Sequence, residues 1–209
     1  MIGKSVVLAA VVLAAACDMG GPRLAPVSLQ MIRADGSGAA AAELWANVSG
    51  ETAVVPTSAV VSLTVQVDRV EALPRGGDEE GGGWVSLDVT ANGTIDLMAL
   101  PGDPAGAIVL AQGEVPVGTY AMVRLFFSDA EVTFNVDVTA GGHTFEAGVA
   151  HPVTFASGAQ TGIKTDAGFD VPDGGGVVAV QFDAETSFSH VTATGSGQIM
   201  VPPVLRVRP

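Results

Sequence analysis

Basic side chains are scarce in this sequence: 9 Lys and Arg stand against 22 Asp and Glu in 209 residues, a formal net charge of −13. Nucleic acids and anionic headgroups are held through clusters of Lys and Arg. The chain has no such cluster, which argues against nucleic acid as a partner. Cysteine is scarcer still, with Cys17 alone, so no intramolecular disulfide can form and the fold rests on its core. One Tyr and two Trp leave too few aromatics for the row expected of a typical sugar-binding platform. A sustained helical period is also missing, and without crossover helices a parallel α/β fold is excluded.

The first segment present in strength is apolar. Lys4 precedes an uninterrupted run from Val6 to Ala16 that ends at Cys17. The run fits the apolar region of a secretory signal and falls short of the ~20 residues of a spanning helix. Leu13-Ala14-Ala15-Ala16-Cys17 resembles a bacterial lipobox, with Leu13 one place further from the cysteine than the usual pattern. The resemblance implies cleavage between Ala16 and Cys17 and acylation of Cys17. Two or more acyl chains hold a protein stably on a bilayer, at ~0.8 kcal/mol per buried CH₂. The expected location is therefore a bacterial envelope, on the inner or outer membrane, with the domain in the periplasm or at the cell surface. Loss of Lys4 with the signal would take the net charge from −13 to −14.

Three parts follow: a signal over 1–16, an acylated terminus and Gly/Pro tether over 17–26, and one domain over 27–209. Val27–Arg33 is a first strand candidate, and Gly38–Asn47, Ala-rich with Ser37 as N-cap, is a short helix candidate carrying Trp45 as a packing anchor. From Ser58 the period-2 signal is strong. Val61, Leu63, Val65 and Val67 alternate with polar residues, and Asp68-Arg69 shifts the phase, as at a bulge. Pro74–Gly83 reads as an acidic hairpin loop with Asp78-Glu79-Glu80 solvated at its tip. Strands are expected over 84–88, 94–100 and 107–110. Tyr120–Ser128, apolar on both faces except for Arg124, is placed centrally.

Glu131–Val138 alternates, with Val132, Phe134, Val136 and Val138 inward, and turns at Ala140–His143. Shorter strands are expected over 144–147, 153–156, 161–165 and 169–171, with longer ones over 177–183 and 198–207. Ten or so short strands at this spacing predict an all-β fold, an antiparallel β-sandwich of immunoglobulin or transthyretin type.

The chain resembles a family of bacterial and archaeal lipoproteins known only as a domain of unknown function. The similarity runs from Ser58 to Arg206. It is carried by Trp84-Val-Ser-Leu87, Ile95–Leu100, Pro116–Leu125, Gln160–Lys164, Phe182–Ser187 and Pro203–Arg206. The resemblance implies a secreted, lipid-anchored β domain, and it brings no catalytic residues.

Nucleophilic catalysis needs a Ser or Cys beside a His held by an acid. His143, His151 and His190 fall in loops, no Gly-x-Ser-x-Gly turn occurs, and no residue is singled out as catalytic. No two of these histidines have the short spacing of zinc ligands. Calcium is the candidate metal, because it takes six to eight oxygens and acidic loops supply them. Its candidate ligands are Asp166, Asp170, Asp173, Asp183 and Glu185; Asp before Gly also simply forms turns. Arg124 and Lys164, bases in strand-like segments, are expected in structural ion pairs, with Asp183 or Asp96 as acids. The expected function is a non-catalytic module that binds an envelope protein or polysaccharide. A calcium-dependent carbohydrate or adhesion module is the alternative, ahead of a hydrolase assembled from distant loops.

Overall fold

The computed structural model describes residues 21–34, 52–155, 162–165 and 167–208. The cleavage and acylation residues Ala16 and Cys17, the helix expected over 38–47 and Asp166 lie outside these residues.

Strand is the main regular structure of the described residues: β1 (Leu24–Arg33), β2 (Thr52–Ala53), β3 (Val60–Pro74), β4 (Val85–Val89), β5 (Thr94–Asp96) and β6 (Ile108–Pro116) come first. They are followed by β7 (Gly118–Phe134), β8 (Val138–Ala140), β9 (His143–Phe145), β10 (Ala150–Phe155), β11 (Ile163–Lys164), β12 (Phe169–Val171) and β13 (Gly176–Phe182). A five-residue helix α1 (Ala184–Phe188) separates these from β14 (Val191–Ala193), β15 (Ile199–Val201) and β16 (Leu205–Arg208). Strands neighbour one another in the order β16-β13-β1-β6-β4-β3-β7-β10-β15-β14-β2, while β5 pairs with β3, and β11 and β12 pair with β7.

Strand β4 passes between two ladders: Val85–Leu87 pair with β3, and Asp88–Val89 pair with β6. The ladders share one core, in which Leu29, Met31, Leu110, Val180 and Phe182 from one meet Leu63, Val65, Val123, Leu125 and Phe127 from the other. The all-β expectation holds. Two pairings depart from a purely antiparallel sheet, since β1 runs parallel to β13 and β10 parallel to β15.

Alternation explains most of the burial, and irregularities explain the departures. Leu63, Val65 and Val67 are buried as predicted, but Val61 is 57% exposed and Val60 takes its place inside. The register shifts between Val60 and Ser62, so one extra residue turns Val61 out. A second shift between Val67 and Arg69 matches the phase change at Asp68-Arg69. Beyond it Val70, Glu71, Ala72 and Leu73 are all buried, because both faces of the strand are now covered. In β7 the expected pattern holds for Val132 and Phe134. Val138 is also buried, but it lies in the short β8–β9 hairpin, and Val136 before it is 42% exposed.

Other boundaries differ. Strand β1 begins three residues before the predicted Val27, inside the expected tether. The strand predicted over 94–100 stops at Asp96, whose Oδ1 accepts from the backbone N–H groups of Leu63 and Met98 and bends the chain there. The last residue of the strand predicted over 177–183, Asp183, is instead the N-cap of α1, accepting from the Thr186 N–H at 2.9 Å.

Candidate functional site

A cluster of charged and aromatic side chains lies on the outward face of β3 and β7, away from the shared core. Register places Glu71 of β3 opposite Arg124 of β7, and Arg124 opposite Lys164 of β11. Arg124 Nε donates to Glu71 Oε2 at 2.5 Å. Glu71 is a buried acid, and Arg69 reaches its other oxygen at 3.8 Å. Such a carboxylate is stable in this position because two guanidinium groups compensate its desolvation.

The guanidinium groups are layered with aromatic rings. Arg124 lies 3.9 Å from the Trp84 ring centroid and 5.2 Å from that of Phe126, and Arg69 lies 3.7 Å above Phe126. A ring face attracts a cation, and a flat guanidinium stacks on it while its edge donates to a carboxylate. The acidic loop is fastened over one side. Trp84 Nε1 donates to the Glu79 carbonyl at 3.0 Å, and Lys164 Nζ is ion-paired with the Glu79 carboxylate. Arg124 and Lys164 therefore find acids as expected, but the acids are Glu71 and Glu79, not Asp183 or Asp96. The loop tip Asp78-Glu79-Glu80 is exposed as expected, with Glu79 also held by these two contacts. Sequence reasoning does not single out Glu71, Arg69 and Phe126; the phase shift at Asp68-Arg69 signals only the change of register beside them.

The proposed calcium ligands are distributed over the fold. Asp170 accepts from Thr119 Oγ1 at 2.7 Å, where β12 meets the start of β7. Asp173, in the next turn, is ion-paired with Arg23 at 2.9 Å. Asp183 lies at the other end of β13, where it caps α1 and pairs with Arg206 at 3.3 Å. Glu185 follows it in the first turn of α1. The seven residues of β13 hold these two pairs apart by roughly 20 Å, so one ion cannot take all of them. Among the described residues no three His, Cys, Asp or Glu side chains form a metal-binding group. Around Asp183 the structure instead opens a cleft of ≈ 190 Å³ lined by Arg33, Met98, Asp183 and Glu185.

The histidines occupy separate places, and two of them are not in loops as expected: His143 begins β9 and His151 lies in β10. His151 Nε2 lies 2.9 Å from the Glu146 carbonyl, with its ring edge-on to Phe145. His190 Nδ1 lies 2.7 Å from Ser189 Oγ, a spacing at which a nucleophile and base could meet. The hydroxyl, however, donates its one proton to the Thr186 carbonyl at 2.6 Å. The contact with His190 then requires Nδ1–H as donor, which leaves the imidazole unable to take the serine proton through that atom.

Tyr120 is a core residue. Its hydroxyl donates to the Pro116 carbonyl at 2.8 Å, its ring stacks on Phe169 at 4.9 Å, and burial pushes its pKa above the ordinary value. It fixes the tight turn between β6 and β7, in the manner of the tyrosine corner of β-sandwich domains. No curated protein and no solved structure matches the chain. The matched region spans both the Arg124 face and this turn: over residues 51–203 the chain matches, and belongs to, the family described as a domain of unknown function (DUF4382).

Proposed function

We propose that the protein is a lipid-anchored lipoprotein of the bacterial envelope whose β domain is a non-catalytic interaction module. The observation that carries the reading is the basic start and apolar run ending at the sole cysteine, Cys17. Cleavage before Cys17 and its acylation attach the domain to the inner or outer membrane. The partner class is an envelope protein or polysaccharide. Support for a binding role comes from the Arg124 face, where charged and aromatic groups are stacked in fixed geometry rather than arranged as an acid, a base and a nucleophile.

The test is Cys17→Ala in the full chain, followed by acyl labelling and membrane fractionation. The expected result is loss of label and release of the protein from the membrane fraction. Unchanged labelling would defeat the anchor, and hydrolysis of a glycan or ester by the purified protein would defeat the non-catalytic role.

A further inference from the structure

We propose that the domain stands on end above the bilayer, with the Arg23 end of the sheets toward the lipid and the Asp183 end facing away. The inference rests on the lipid-anchor reading and adds an orientation to it. Arg23, immediately before β1, is held from two sides: its carbonyl accepts from the Val117 N–H at 2.8 Å, and its guanidinium pairs with Asp173 at 2.9 Å. The link to the acylated cysteine is therefore the stretch from Cys17 to Arg23. Six Cα steps reach ~20 Å at full extension.

That limit ties one end of the molecule to the membrane. Beside Arg23 lie the end of β6 at Pro116, the start of β7 at Gly118, the end of β12 at Val171 and the turn before β13. From there the ten residues of β1 run ~30 Å to Arg33, which pairs with Phe182 at the far end. The cleft of Arg33, Met98, Asp183 and Glu185 is at that far end. Charge favours the upright posture over a flat one. With Lys4 removed in the signal, 22 acids stand against 8 bases, so a domain lying along its whole length would bring more net negative charge within the ~8 Å over which an anionic bilayer repels it. The Asp183 end is therefore the part of the domain held furthest from the bilayer.

The shortage of cysteine makes the orientation measurable, because with Cys17 acylated a second cysteine is the one free thiol. Gly174→Cys marks the near end, at a position where a side chain meets no atom within 4 Å, and exposed Glu185→Cys marks the far end. Full-length acylated protein carrying a donor dye is reconstituted on phosphatidylethanolamine–phosphatidylglycerol vesicles with acceptor-labelled headgroups. Energy transfer from position 174 is expected to exceed that from 185 by about two-fold or more, given the ~20 Å of strand between them. Equal transfer, or more from 185, overturns the orientation and leaves the anchor standing. If the unsubstituted chain fails to float with the vesicles, or Cys17→Ala floats equally well, the anchor and the orientation fall together.

Discussion

At the residue scale, Glu71 and Arg124 decide how the outward face of β3 and β7 holds together. With side chains 9% and 18% exposed, the pair is mostly removed from water, so taking away one partner strands the other. Such losses run to about 3 kcal/mol, whereas replacing both partners with apolar groups is often close to neutral. Glu71→Met is therefore expected to lower unfolding stability by ~2–3 kcal/mol, and Arg124→Met by a similar amount. The double variant Glu71→Met/Arg124→Met should lose less than the two single losses combined. Urea denaturation of the four proteins measures this directly, and additive losses would show that the pair is not coupled. Arg124→Lys keeps the charge but loses the flat stack on Trp84 and the fork toward Glu71, at an expected cost of ~1 kcal/mol.

Tyr120 gives a second residue-level prediction with a defined sign. It is the sole tyrosine, so phenolate absorbance reports it alone. Burial raises its pKa above 10.0 in the folded protein, whereas the unfolded chain keeps the ordinary value. Above pH 10 the unfolded state loses this proton first and binds fewer protons than the folded state, so stability falls as pH rises. The contribution is fully present below pH 10 and is lost as pH passes through the folded value. Tyr120→Phe should cost ~1 kcal/mol at neutral pH, through the lost bond to Pro116, and should flatten the alkaline decline. An equally steep decline in the variant would assign the effect to other groups.

At the scale of elements, the turn before β13 sets a parallel pairing that alternation alone does not require. Gly175 has φ +75°, and a Cβ there would lie 2.0 Å from the Pro26 carbonyl oxygen of β1. Close approach of the two backbones depends on that missing atom. Gly175→Ala is expected to cost about 2–3 kcal/mol, combining a clash with left-handed strain, whereas Gly174→Ala should stay within ~0.5 kcal/mol. Equal urea midpoints for the two variants would remove this role.

The same scale shows what the sequence makes legible. The bulge at Asp68-Arg69, the hairpin turning at Gly141-Gly142 and β12 could be read because period-2 patterns and turn residues are local signals. The burial of Glu71 could not, because the aromatic and charged cover over that outer face comes from β4, β7 and the loop ahead of β4. Nor could the place of Asp183: in sequence it follows an apolar strand like any outward acid, and its role as a cap appears only once α1 turns away. The calcium set failed to converge for a related reason. Proximity in sequence across β13 becomes separation along the length of an extended strand.

At the scale of the molecule, the family match and the folded unit have different limits. The matched region covers residues 51–203, yet β1 at 24–33 lies between β6 and β13, and β16 at 205–208 closes the edge beside β13. Ala25, Val27, Leu29, Met31 and Ile32 of β1 are essentially fully buried. The four large side chains alone contribute roughly 1.5–3 kcal/mol each, on the order of 10 kcal/mol together. That is comparable with the entire 5–15 kcal/mol by which a domain is stable. Removing β1 also leaves the facing edges of β6 and β13 unpaired, which invites pairing between chains.

A chain trimmed to 51–203 is therefore expected to aggregate or remain unfolded, whereas 21–209 should give a cooperative urea transition and a strand-rich circular dichroism spectrum. Restoring β16 alone, as 51–209, should not rescue folding, because the gap between β6 and β13 remains. If 51–203 unfolds cooperatively at the same urea midpoint as 21–209, β1 is dispensable and the core described here is not the one that stabilises the protein.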